Sequence, residues 1–288
     1  MSSGCAVPVT QRIPTAGRSL PRACITARSD EGRGSPSNRG GMVQAKREDS
    51  FIGERASEKG GEMSEEEQNP AAVPTPMSDV QGDGRWMSMH NHFVSSSKDK
   101  EPEVVFMGDS NVQIMHQFEV WRELFSPLHA LNFGGLSDGT QHVLWRLENG
   151  ELDHVKPKII VLWVGTYNQG HSAEQIAGGI IAIIRCINQR QPQAKVIVMA
   201  LLPRGKNPNC LRNRNLQVNK LLEKDLPSLP NAFLLDADPG FVHSDGTISH
   251  HDMYDYLHLS RHGYARVCPT LHRTLLQLLE GTGTPPDQ

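Results

Sequence analysis

Val104-Val105-Phe106-Met107-Gly108-Asp109-Ser110 reads as a short apolar run that stops in a Gly-Asp turn and delivers a serine. Four apolar residues without polar alternation suit a strand covered on both faces, as strands of parallel sheets are. A serine just past such a strand stands at the C-terminal rim of the sheet, where open α/β folds bind their ligands. Serine alone is a weak nucleophile; it needs an imidazole to take its proton and a carboxylate to orient that imidazole. Asp255-Tyr256-Leu257-His258 supplies both from one short loop near the other end of the chain. Each fragment alone has an ordinary reading, as a strand-closing turn or as polar loop residues. Their conjunction carries the catalytic reading, with Ser110 as nucleophile, His258 as base and Asp255 as orienter.

Outward from Ser110, strand and helix patterns alternate. Further strand candidates are Ala130–Phe133, Ile159–Val164, Val196–Leu201 and Phe233–Leu235, all short apolar runs. Helical spacing covers about 112–124, 140–149, 173–190 and 211–224, and a last helix runs from Ser260 to about Glu280. Ser172 and Ser260 are placed to cap the helices that follow them. Five strands with intervening helices predict a three-layer α/β/α sandwich on a five-stranded parallel sheet.

The flanks read differently. Residues 1–62 are rich in Ser, Gly, Arg and Pro with no sustained apolar period, so they are expected to be a disordered N-terminal extension. Composition changes abruptly at Met63-Ser64-Glu65-Glu66-Glu67, which is taken as the start of the functional protein. The Pro- and Gly-containing 281–288 segment reads as a disordered C-terminal tail. Net charge is −3, made of +3 in residues 1–62 and −6 in the remainder, so nothing global points to nucleic acid. No apolar stretch approaches 18 residues, the length of a membrane span. Cys5, Cys24, Cys186, Cys210 and Cys268 are an odd number without metal-like spacing, consistent with a reduced, cytoplasmic protein in which Cys186 is a small core residue.

His243, His250, His251 and His258, with Asp245, Asp252 and Asp255, could be read as a metal cluster. A polar rim loop is the better account, because Pro239 and Gly246 interrupt the segment and no helical His-x-x-x-His pair appears. Acyl transfer also needs oxyanion donors. The Ser110 backbone N–H is one; the loops Gly134-Gly135-Leu136-Ser137-Asp138 and Gly165-Thr166-Tyr167-Asn168 are placed to supply others.

Gly108-Asp109-Ser110, the 134–138 glycine loop, Gly165-Thr166-x-Asn168 and Asp255-x-x-His258 together resemble the four blocks of the SGNH (GDSL-like) hydrolases, whose sheet is flavodoxin-like. Longer runs over about 63–280 are similar to one branch, the catalytic subunits of the cytosolic (type I) platelet-activating-factor acetylhydrolases. They include residues 80–87, Trp121–Gly134 and Phe241–Gly246. The tract His250–Arg261 points within that branch to the α1 type. The resemblance implies a hydrolase domain over 63–280 that removes the sn-2 acetyl group of platelet-activating factor without metal or cofactor. It also implies a homodimer or a heterodimer with the α2 catalytic subunit, and a WD-repeat regulatory partner, the lissencephaly protein.

Two departures from the family pattern bear on the oxyanion hole. Its second block, Gly-Ile-Gly-Gly-Asp, has Ser137 here in place of the last glycine; its third, Gly-Thr-Asn-Asn, has Tyr167 in place of the first asparagine. Ser110, Ser137 and Tyr167 therefore make an altered oxyanion hole, strained at Ser137 if that position needs a positive φ. Asn168 could replace the missing amide only if the loop shifts. Asn111, Thr166 and Leu257 are the expected walls of a small acyl pocket, with Asn111 making it more polar. Two readings stay open: an acetylhydrolase with a weakened oxyanion hole, and a pseudoenzyme kept for dimerisation and partner binding.

Overall fold

The computed structural model describes residues 68–281. The extension expected over 1–62, Cys5, Cys24 and all but the first residue of the 281–288 tail lie outside the described residues.

Five parallel strands, β1 (Val104–Gly108), β2 (Ala130–Gly134), β3 (Ile159–Trp163), β4 (Lys195–Met199) and β5 (Ala232–Leu235), form one sheet in the order β2-β1-β3-β4-β5. Strand alternation divides the core between the two faces. Val105, Met107, Ile160, Leu162, Val196 and Val198 face one apolar layer; Val104, Phe106, Ile159, Val161, Trp163 and Ile197 face the other. The first layer is completed by α3 (Thr140–Glu148), α4 (Ala173–Arg190) and α5 (Cys210–Asp225), the second by α2 (Ser110–Met115) and α6 (Arg261–Leu279). This is the expected α/β/α sandwich. The chain order reverses between β1 and β3, so the rim beyond β1 is the crevice in which such sheets hold ligands.

Local chemistry explains the element ends. Ser172 accepts from the Gln175 backbone N–H (3.2 Å) and Gln175 Oε1 accepts from the Ser172 N–H (3.0 Å), a reciprocal cap that starts α4. From there Ile176, Ile180, Ile183, Ile184 and Ile187 recur at helical spacing and are all buried. Ser260 caps α6 through the Gly263 N–H at 3.1 Å. Cys186 is half-buried and packs against the core instead of lying within it; Cys268 is fully buried and Cys210 is exposed.

The structure corrects the sequence reading in two places. The single helix expected over 112–124 is broken: α2 begins at Ser110, where Asp109 caps it, and stops at Met115. The next turns close by i→i−3 bonds (Gln117 N to Ile114 O, 2.9 Å), and Trp121–Phe125 winds as a wider π turn. The break lets Trp121 and Phe125 both pack against Phe106, with ring centroids 5.0 and 4.9 Å away. Secondly, α1 (Arg85–Ser97) was not expected. It starts after Gly84, at φ 67°, without a side-chain cap or an acidic first turn, so its entry carries only the weak signal of a glycine.

Candidate active site

Ser110 opens α2 immediately past β1, and its placement depends on two close backbone approaches. A Cβ on Gly108 would meet the Trp163 carbonyl oxygen at 2.0 Å, and one on Gly134 would meet the Gln113 backbone nitrogen at 2.2 Å. Glycine at both positions lets β1, α2 and the 134–138 loop converge. Asp109 then turns the chain, its Oδ1 accepting from the Asn111 N–H at 2.9 Å. Burial pushes the Asp109 carboxyl up to about 8, opposed by that backbone hydrogen bond. Tyr264 of α6 donates to the Asn111 carbonyl at 2.6 Å and ties the turn to the opposite end of the chain.

The structure brings Ser110, Ser137, Tyr167, Asp255 and His258 together at one rim. Ser137 adopts φ 60°, the left-handed conformation that would favour glycine, and its backbone N–H donates to Ser110 Oγ at 2.8 Å. His258 Nδ1 lies 2.6 Å from Asp255 Oδ2, and the His258 backbone N–H donates to Asp255 Oδ1 at 2.7 Å. Partial burial raises the Asp255 carboxyl, but the His258 backbone and imidazole and the Leu257 N–H more than offset this and hold it below the usual carboxylate range. The Tyr254 ring stacks on the imidazole, centroids 5.7 Å apart and planes 12° apart.

His258 Nε2, the nitrogen that a serine hydroxyl would be expected to face, instead contacts the Tyr167 hydroxyl. The Ser110 side chain also acts on that phenol, favouring its ionised form against the effect of burial. Tyr167 therefore stands between nucleophile and base, where it had been expected only to fill an oxyanion position. Ser110 is wholly buried beneath this arrangement. Burial pushes the phenol up to about 12, so it stays protonated.

Asn168 does not take over as a donor to the site. Its Nδ2 donates to Thr140 Oγ1 (2.8 Å) and Gln141 Oε1 (2.9 Å), while its Oδ1 accepts from the Thr140 N–H (3.0 Å). Of the expected pocket residues, Thr166 is buried and its hydroxyl accepts from Arg204 Nη1 (3.2 Å) and Asn215 Nδ2 (3.3 Å). Asn111 is buried, with no hydrogen-bond partner for its Oδ1 among the described residues. Leu257 is half-buried between the Asp255 and His258 side chains in sequence, and its N–H donates to Asp255 Oδ1 at 3.1 Å. In the His-rich loop, Asp252 is buried against Arg266 Nη1 at 2.8 Å, and Asp245 accepts from the Thr247 N–H at 2.9 Å. Among the described residues no group of three or more His, Cys, Asp or Glu could hold a metal ion.

Several supporting residues were missed from sequence. Arg146 on α3 is wholly buried and donates to the Phe133 carbonyl (2.9 Å) and the Gly108 carbonyl (3.1 Å), joining the ends of β2 and β1. It is neutralised by Asp138 (3.0 Å) and Glu151 (2.8 Å). Burial raises the Asp138 carboxyl, and Arg146 opposes the shift. Trp86 Nε1 donates to Asp138 Oδ1 at 2.7 Å and His90 Nδ1 lies 2.9 Å from Glu151 Oε1, so α1 is built into the same cluster. Arg204 Nη1 donates to the Thr166 carbonyl at 2.7 Å and fixes the loop that carries Tyr167. A cation at the core-facing phase of 140–149, with Asp138 and Glu151 nearby, was the available signal for Arg146; Trp86 and Arg204 have no comparable signal.

Residues 106–266 match the GDSL-like Lipase/Acylhydrolase family. The chain is 69% identical over 222 residues to human platelet-activating factor acetylhydrolase IB subunit alpha1, covering 76% of this chain and 96% of that protein. It is 64% identical over 220 residues to the chicken alpha2 subunit, with the same two coverages. A solved GDSL-like lipase from Bacteroides thetaiotaomicron superposes with a TM-score of 0.53 at 15% identity, covering 67% of this chain and 96% of that one, a likeness of fold. Relatives of both the alpha1 and the alpha2 type are thus found, and no described helix is long and apolar enough to cross a membrane.

Proposed function

The chain belongs to the GDSL-like lipase/acylhydrolase family, and on that premise we propose that it is a serine esterase removing the sn-2 acetyl group of platelet-activating factor. The observation that carries the reading is the convergence of Ser110, with the Ser137 N–H on its Oγ, and the Asp255–His258 pair at the rim beyond β1. Ser110 attacks the acetyl carbonyl, lyso-platelet-activating factor leaves, and water hydrolyses the acetyl-enzyme. His258 is the ultimate proton acceptor and then donor, and Asp255 holds its Nδ1–H. The Ser110 and Ser137 N–H groups are the oxyanion donors in this scheme. Asn111, Thr166 and Leu257 bound the acetyl pocket, and the scheme uses no metal or cofactor.

The hydrolase domain in this reading is 63–280. The protein acts in the cytoplasm, as a homodimer or a heterodimer with the α2 subunit and together with a WD-repeat lissencephaly regulatory subunit; the alpha1- and alpha2-type relatives support such a complex. The test is to treat the full chain with a fluorophosphonate probe and to measure acetate release from platelet-activating factor. Labelling and turnover that both vanish in Ser110→Ala are expected; a folded wild-type chain with neither would sink the esterase reading. A second reading, a pseudoenzyme retained for dimerisation and partner binding, is favoured by one observation: the phenol at His258 Nε2 above a wholly buried Ser110. That reading expects no turnover in a chain that still dimerises.

A further inference from the structure

The polar chain that runs from Ser110 to Asp255 has its hydrogen positions fixed by elementary counting. Asp255 Oδ2 faces His258 Nδ1 at 2.6 Å, and an ionised carboxylate can only accept, so Nδ1 carries the hydrogen. In the neutral ring Nε2 is then an acceptor. The group at Nε2 is the Tyr167 hydroxyl, which must donate. A phenol has one hydrogen, and with that spent on His258 the Tyr167 oxygen is left as an acceptor towards the Ser110 side chain, its neighbour in the site. Ser110 Oγ already accepts from the Ser137 N–H at 2.8 Å, which leaves its own hydrogen free to point at Tyr167. Both hydrogen bonds of the Tyr167–His258–Asp255 chain thus run towards Asp255.

From this geometry we propose that Tyr167 is a catalytic residue, a phenol relay that passes the Ser110 proton to His258. The inference rests on the esterase reading above. As Ser110 Oγ bonds to the ester carbonyl carbon, the carbonyl π pair moves to its oxygen. The Ser110 proton passes to the Tyr167 oxygen while the Tyr167 proton passes to His258 Nε2. When the tetrahedral intermediate collapses, the ester C–O bond breaks and the alkoxide leaving group takes one proton back along the same route, restoring the neutral imidazole. Deacylation repeats the sequence with water as nucleophile. Tyr167 ends each half-reaction as a neutral phenol, in keeping with a hydroxyl that burial makes hard to ionise. Because its single hydrogen is committed to His258, the phenol adds no donor to the oxyanion, which leaves that duty to backbone N–H groups.

The test compares the full-length wild type with Tyr167→Phe, which keeps the ring and deletes the relaying oxygen. Acetate release and fluorophosphonate labelling should both fall by about 10²–10⁴-fold, the usual worth of a positioned acid–base group. The wild-type rate measured across mixtures of H₂O and D₂O should bow, because two protons move together, whereas residual turnover of Tyr167→Phe should respond linearly. The wild-type curve is informative even if the variant fails to fold. A linear wild-type curve, or a Tyr167→Phe enzyme as fast as or faster than wild type, overturns the relay and makes the phenol a plug. A wild type that neither labels at Ser110 nor releases acetate overturns the esterase reading and the relay together, whereas an active wild type with an equally active variant removes the relay alone.

Discussion

Arg146 Nε lies 3.0 Å from Asp138 Oδ2, and both side chains are without solvent exposure. The same guanidinium holds the carbonyls of Gly108 and Phe133, so one buried cation sets the spacing of the two strand ends that carry Ser110 and Ser137. Arg146→Met would leave Asp138 and Glu151 buried without their cation. Breaking a buried pair from one side costs about 3–5 kcal/mol. Urea unfolding should show a loss of that size, and a variant as stable as wild type would contradict the assigned role.

Trp86→Phe tests the tie between α1 and the same cluster more gently. It removes the 2.7 Å hydrogen bond to Asp138 and keeps most of the aromatic contact with Trp145, whose ring centroid is 5.4 Å away. A hydrogen bond to a charged group contributes about 1.5–3 kcal/mol. Thermal denaturation should report a loss in that range together with lower turnover, because Asp138 follows Ser137 directly. Lost stability with unchanged turnover would confine Trp86 to a structural part.

Ser137→Gly should stabilise the chain. A residue with a Cβ pays about 1–2 kcal/mol in the left-handed region, and the greater freedom of glycine in the unfolded chain returns part of that. With Ser137 exposed and at φ 60°, a net gain of about 0.5–1 kcal/mol is expected, while the N–H on Ser110 Oγ is retained. A lower melting temperature would show that the serine side chain contributes more than the conformation costs.

Asp109 gives stability a pH dependence. Its carboxyl is raised to about 8 in the folded protein, against about 3.9 in an unfolded chain. The folded state thus keeps a proton that the unfolded state gives up. This contribution is fully present below about pH 4 and declines as pH rises through about 8. Asp109→Asn keeps an oxygen for the Asn111 N–H and cannot ionise. The difference in urea midpoint, wild type minus variant, should therefore fall steadily between about pH 5 and 8. A flat difference would mean that Asp109 is ionised when folded.

Asp255→Asn addresses the carboxylate that fixes the His258 tautomer. The loop gains little from Asp255 beyond its two backbone hydrogen bonds, so folding should change slightly. Turnover should drop by about 10³–10⁴-fold, as when an orienting carboxylate is removed from a serine triad. Stopped assays at a single neutral pH suffice to measure it; a decrease under tenfold would remove Asp255 from the mechanism.

What was legible in the sequence follows the range over which each signal acts. The strand runs, the Ser172 and Ser260 caps and the parallel order depend on periodicity and local chemistry, and they can be read from a few neighbouring residues. Ser110, Asp255 and His258 could be picked out as candidates because a nucleophile, a base and an orienter need those residue types, and the last two lie three residues apart in one loop. Tyr167 was marked as unusual by its position, but its seat at His258 Nε2 comes from two loops 91 residues apart, and no local pattern encodes such a meeting. The break after Met115 escaped notice for a similar reason: Trp121 and Phe125 keep helical spacing, and only their packing against Phe106 shows that one continuous helix would misplace them. Asn168 suited an oxyanion donor by residue type, yet Thr140 and Gln141 engage its amide.

The helix Arg85–Ser97 ends before residue 106, where the family match begins, yet Trp86 and His90 on it complete the charge cluster behind the loop that carries Ser137. The segment that would suffice to recognise this enzyme class is therefore shorter than the segment that would suffice to run it. A fragment trimmed to the recognisable part would keep the Ser110, Asp255 and His258 side chains and lose the helix that holds Asp138 and Glu151, so its inactivity would say nothing about the chemistry of Ser110.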